Sequence, residues 1–140
     1  MEDAGSELRI DSTNASEIER LHPWFDCAAR NLPPVVQHGM RIALEEAVMN
    51  AASHGVVPGG QGEISVQLRI APDCATIFVK DSGLPFDPSV SLQRVQPSSL
   101  HEAEPGGLGL VLLHHFCPDI NYARVGERNI LTLRFPLPGA

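Results

Sequence analysis

The stretch Glu63-Ile64-Ser65-Val66-Gln67-Leu68-Arg69-Ile70-Ala71-Pro72-Asp73-Cys74-Ala75-Thr76-Ile77-Phe78-Val79-Lys80 decides the fold. In its first half Ile64, Val66, Leu68 and Ile70 alternate with Glu63, Ser65, Gln67 and Arg69. Successive strand side chains point to opposite faces, so this alternation predicts a half-buried antiparallel strand. Ala71-Pro72-Asp73 carries turn chemistry, and Cys74 to Lys80 reads as a second strand of more continuous apolar character. Upstream, Leu8 and Ile10 suggest a short first strand over Ser6 to Ser12. Asn14 and Ser16 can cap a helix running to about Asn31, with Ile18, Leu21, Phe25, Ala28 and Ala29 on one face. Trp24 and Phe25, beside Pro23, are expected in the core rather than on a binding patch. Pro33 and Pro34 punctuate, and a second helix runs to about Ser53 along the stripe Val36, Met40, Ala43, Leu44, Ala47, Val48 and Ala51. His54-Gly55 ends it, and Pro58 to Gly62 is a turn-rich connector.

Downstream of the hairpin a stretch from about Pro88 to Pro105 has no periodicity. Compact domains rarely keep loops this long unless they serve a function, and a lid is the expected one. Leu108 to Phe116 then reads as a short helix, followed by strands Asn121 to Val125 and Asn129 to Phe135 around a Gly126-Glu127 turn. The order β-α-α-β-β-loop-α-β-β predicts an α+β fold: a two-layer sandwich of a mixed, mainly antiparallel sheet with helices on one face.

Composition bounds the function. The chain has 140 residues, 17 acidic and 10 basic side chains and a formal charge of −7, with 43% hydrophobic residues. That length suits one domain with a proper core. The acidity argues against nucleic acid and anionic membrane as partners. It leaves nucleotides open, because backbone amides and a metal ion can hold phosphates without many lysines. Glu2, Asp3 and Glu7 stand where a signal peptide would need a basic then apolar run, so none is expected. Three widely spaced cysteines, Cys27, Cys74 and Cys117, suit a reducing compartment, and a cytoplasmic location is the expectation. His114, His115 and Cys117 lie close together but lack a second ligand cluster, so a helix end entering a strand is the expected reading.

Three constellations could carry chemistry. Glu46, Asn50 and His54 are spaced i, i+4, i+8 and line one helix face apart from the apolar one. A carboxylate one turn from a carboxamide suits metal and proton chemistry, although alone such a triplet is usually a solvated face. Glu45, four residues after Arg41, suits a surface ion pair. Asp81-Ser82-Gly83-Leu84-Pro85-Phe86-Asp87 follows a strand. It reads either as a tight turn or as an acceptor carboxylate with a glycine that lets a flat ligand approach. Gly106-Gly107-Leu108-Gly109-Leu110 opens the late helix, where exposed N–H groups and the helix dipole favour phosphate. The lysine of a P-loop, the preceding strand of a dinucleotide fold and the protein-kinase motifs are all missing.

In this order the three motifs resemble the GHKL ATPase superfamily of gyrases, histidine kinases and MutL. The similarity is nearest to the anti-sigma-factor serine-protein kinases of bacterial partner-switching systems. Glu46-Ala47-Val48-Met49-Asn50-Ala51-Ala52-Ser53-His54-Gly55 looks like their N-box, with Asp81-Ser82-Gly83, Phe86-Asp87-Pro88 and the Gly106 to Leu110 segment as the glycine boxes. The resemblance implies a histidine-kinase-like ATPase fold and a single ATP-binding kinase domain over 1–140, with an ATP lid at about 88–105 whose only basic residue is Arg94. It implies ATP and Mg²⁺ as cofactors, Glu46 as general base and Asn50 as Mg²⁺ ligand. Asp81 would take the adenine amine with Gly83 beside the ring, and Gly106, Gly107, Leu108 and Gly109 would hold phosphates. His54 falls at the pocket edge, and Thr132 is implied as a water-mediated adenine contact. The implied function is a kinase that phosphorylates a STAS-like antagonist protein on serine and sequesters a sigma factor or similar regulator. The alternative is a nucleotide-gated binding module without transfer. Homodimerisation, frequent in that family, is a further implication.

Overall fold

The alternating stretch forms two paired strands in the computed structural model, which describes residues 6–11, 15–54, 62–85, 87 and 107–138. Glu63–Ile70 (β2) and Cys74–Asp81 (β3) are antiparallel, with Val66 opposite Val79 and Leu68 opposite Ile77. The Ala71 N–H closes the turn on the Cys74 carbonyl at 2.8 Å. Ser6–Asp11 (β1) pairs with the free edge of β2, Leu8 opposite Val66. Arg128–Pro136 (β5) pairs with the other edge of β3, and Asp119–Val125 (β4) lies outermost beside β5. The sheet order is β1-β2-β3-β5-β4, with every pair antiparallel.

A mixed sheet is expected from a helical crossover between β3 and β4, because such a crossover usually joins parallel neighbours. The two strands do run the same way, but β5 turns back at Gly126 (φ +61°) and inserts between them, so no parallel ladder forms among the described residues. Gly126 supplies the left-handed backbone that this turn needs.

One face of the sheet carries the helices. Ala15–Ile18 (α1), Leu21–Ala28 (α2), Pro34–His54 (α3) and Gly107–Phe116 (α4) complete the α+β architecture. The single helix expected to about Asn31 is thus two, broken at Glu19 and Arg20. Pro23 explains the break: a proline cannot donate to the carbonyl four residues back, which is that of Glu19, and its ring crowds it. In the first turn of α2 the missing N–H costs nothing. Asn14 lies outside the described residues, and Ser16 sits within α1.

Met40, Ala43, Leu44, Ala47 and Val48 of α3 and Leu113 of α4 share one core with Ile64, Val66, Ile77, Val79, Leu131 and Leu133 of the sheet. Phe25 is in that core, and Trp24 packs against it while its indole N–H donates to Ser6 Oγ at 3.0 Å. Gly39 lets α4 lie close to α3: a Cβ there would meet Phe116 Cδ1 at 3.2 Å. The opposite sheet face is mixed, with Phe78 between Arg69 and Lys80, whose charges lie 5.9 and 6.0 Å from the ring centroid. Among the described residues no helix is long and apolar enough to cross a membrane.

Candidate active site

The site is built where β3 ends. Asp81 is the last residue of β3, nearly buried, on the helix-bearing face between Ile64 of β2 and Asn129 of β5. Its Oδ1 accepts the Gly83 N–H at 2.8 Å and Asn129 Nδ2 at 2.9 Å. The same Asn129 nitrogen donates to the Leu84 carbonyl at 2.8 Å, while its Oδ1 accepts from Tyr122 OH and from an Arg124 guanidinium nitrogen at 3.1 Å. That guanidinium nitrogen also donates to the Gly83 carbonyl at 2.6 Å. Asp81 and Gly83 are therefore joined through an Asx turn, and β4 and β5 clamp that turn from the side.

Thr132 does not belong to this group. Asn129, Leu131, Leu133 and Phe135 face the core side, so Thr132, opposite Phe78, faces the other side of the sheet. The residue of β5 that meets Asp81 is Asn129, which the sequence reading missed. The signal was available: counting back from the Gly126-Glu127 turn pairs Arg124 with Asn129, and the apolar residues at 131, 133 and 135 put 129 on their face.

On α3, Glu46 is half-buried and Asn50 is 5% exposed, on the helix layer that covers the face bearing Asp81. Loss of solvent, and then the neighbouring Glu45 charge, push the Glu46 carboxyl above its ordinary value. A carboxylate so raised is a better proton acceptor. Glu45 itself turns to His22: Arg41 Nε donates to His22 Nδ1 at 2.8 Å, and His22 Nε2 faces Glu45 at 3.6 Å. The imidazole thus stands between the two groups expected to pair directly. His54 closes α3, and its side chain lies outside the described residues.

Asn50 Nδ2 is buried without a hydrogen-bond partner. An orphaned buried amide costs free energy, on the order of 1–3 kcal/mol, unless a ligand or water meets it. Its oxygen is a donor atom of the kind Mg²⁺ takes, and Mg²⁺ commonly uses one or two protein oxygens with substrate phosphates and waters for the rest. Asn50 thus fits the ion. Among the described residues no three His, Cys, Asp or Glu side chains cluster as a metal site. The Cys117 thiol is buried, donates to the carbonyls of Asp119 (3.4 Å) and Arg134 (3.6 Å), and is pushed up to about 12 by burial. It stays a thiol at the junction between α4 and β4.

Gly107, Leu108 and Gly109 form the first turn of α4, where backbone N–H groups have no carbonyl four residues back. Gly106 and the segment 88–105 lie outside the described residues. α4 packs on α3, so the amide-bearing turn and the Glu46–Asn50 face belong to one helix layer.

The model of the histidine kinase-like ATPase domain matches residues 13–135. Among curated proteins, the serine/threonine-protein kinase BtrW of Bordetella bronchiseptica is 34% identical over 94 residues, which is 67% of this chain and 66% of that protein. The serine-protein kinase RsbW of Listeria innocua is 34% identical over 85 residues, 58% of this chain and 54% of that one. RsbW of Oceanobacillus iheyensis is 31% identical over 87 residues. The chain thus spans between about half and two thirds of the length of these relatives. With the family model matched over most of its length, on a five-stranded antiparallel sheet backed by helices, the chain belongs to the histidine kinase-like ATPase domain family.

Proposed function

We propose that this protein is a serine-protein kinase that uses Mg-ATP to phosphorylate a small STAS-like antagonist protein, and that it also sequesters a sigma factor or similar regulator. The observation that carries the reading is the pairing on α3 of a half-buried glutamate, raised above its ordinary value, with a buried asparagine amide left unpartnered one turn away. The relatives named as serine-protein kinases support the reaction type.

In this reading Asp81 accepts from the adenine amine, Gly83 lies beside the ring, and the first-turn amides of α4 hold the phosphates. Asn50 contributes an oxygen to Mg²⁺, which when bound neutralises charge on the phosphate oxygens. Glu46 takes the proton from the substrate serine as its oxygen bonds to the γ-phosphorus and the bond to ADP breaks. The chain's own contribution is positioning and proton acceptance. A module that only held its partner would have no use for a raised carboxylate beside that amide.

Glu46→Gln keeps the shape and removes the base. Phosphoryl transfer to the antagonist, weighed by mass spectrometry after incubation with Mg-ATP, falls by about 10²–10⁴-fold while ATP affinity holds. Transfer at the parent rate in that variant rules out Glu46 as the base.

A further inference from the structure

Asn129 has all its amide hydrogen-bonding directions toward the protein satisfied by four neighbours of defined sense. Two donors, Tyr122 OH and Arg124, meet its oxygen, and two acceptors, Asp81 Oδ1 and the Leu84 carbonyl, meet its nitrogen. A flipped amide would set donor against donor and acceptor against acceptor, so Tyr122 and Arg124 on the edge strand dictate which end of Asn129 faces Asp81. The consequence falls on the carboxylate. Oδ1 of Asp81 already accepts two hydrogen bonds, from Gly83 and Asn129, which matches its two lone pairs. Only Oδ2 is left for a ligand.

A carboxylate with one oxygen spent suits a base edge offering a single donor, as the adenine 6-amino group does. Guanine offers an adjacent pair of donors, N1–H and the 2-amino group, which favours a carboxylate with both oxygens free, and its 6-oxo group repels the charge. We infer that Tyr122 and Arg124 are positioning residues for purine selection: acting through Asn129 they saturate Oδ1 of Asp81 and so set the preference for adenine over guanine. Arg124 adds a second hold, because its bond to the Gly83 carbonyl keeps the Gly83 N–H on the same oxygen. The inference rests on the reading of Asp81 as the base-recognising residue.

The test is titration of the purified protein and its Tyr122→Phe and Arg124→Ala variants with Mg-ATP and Mg-GTP, with circular dichroism as the check on folding. The parent binds ATP in preference to GTP. Arg124→Ala removes both its bond to Asn129 Oδ1 and its bond to the Gly83 carbonyl, and lowers the ratio of GTP to ATP dissociation constants by about five- to thirty-fold. Tyr122→Phe, which removes a single oxygen, lowers it by a smaller factor of about three. Folded variants in which both affinities drop equally, or in which the ratio stays at the parent value, overturn the inference. If Arg124→Ala does not fold, Tyr122→Phe decides alone. A parent protein that binds neither nucleotide removes the reading of Asp81 first, and the inference with it. A parent that binds ATP while its variants keep the ratio removes only the inference.

Discussion

Glu46 shows how much of the site is decided by single residues. Its carboxyl is raised first by loss of water and second by Glu45 on the preceding position of α3. In the proposed reaction Glu46 must be ionised to accept the serine proton, so transfer activity is expected to rise with pH through the Glu46 pKa. Because that value lies above the ordinary 4.5, the acid limb of the pH–rate profile is expected above 4.5 as well. Glu45→Gln removes the second cause and shifts the limb to lower pH; a limb that does not move shows that Glu45 has no hold on it. The linkage has the matching sign. The folded state binds the Glu46 proton more tightly than the unfolded chain, so this residue's contribution to stability declines as pH rises from 4.5 through its raised value. Glu46 and Asn50 were legible in the sequence because helical spacing alone sets them on one face. Asn129 was not singled out, because its partner Asp81 lies 48 positions away and only strand register joins them.

Between elements, the decisive contact is that of α3 with α4. Phe116 lies over Gly39 and meets His38 edge-on, with ring centroids 5.8 Å apart. Gly39→Ala gains about 1 kcal/mol of helix propensity and meets a tight contact, so it is expected near neutral. Gly39→Val adds further carbons against the ring and has poorer propensity, and a loss of about 1–3 kcal/mol is expected in urea denaturation. Since α4 carries the first-turn amides, Gly39→Val is also expected to weaken ATP binding at temperatures where it remains folded. Unchanged stability in Gly39→Val would show that α4 shifts without cost. The break between α1 and α2 belongs to this scale too. Pro23 was visible in the sequence, but amphipathic spacing from Ile18 to Ala29 outweighed it in the reading, whereas in the fold the carbonyl of Glu19 decides.

The whole molecule rests on one core shared by helices and sheet, so damage to it is global. Leu113 of α4 is fully buried against that core. Leu113→Ala is expected to cost about 2–5 kcal/mol through lost transfer energy and a residual cavity. Domains hold only about 5–15 kcal/mol in total, so the urea midpoint should fall sharply with an unchanged slope. A midpoint within error of the parent would mean that the core closes over the gap. By itself the sequence determined the α+β class, the two hairpins, the long α3 and the residues that chemistry could use, because periodicity, prolines and turn glycines act over a few residues at a time. The tertiary structure alone decided that β5 enters between β3 and β4, that Asn129 rather than Thr132 meets Asp81, and that Tyr122 and Arg124 hold it there. Those outcomes depend on which distant strand edges pair and in what register, and pairing is settled by the burial of the whole apolar face at once.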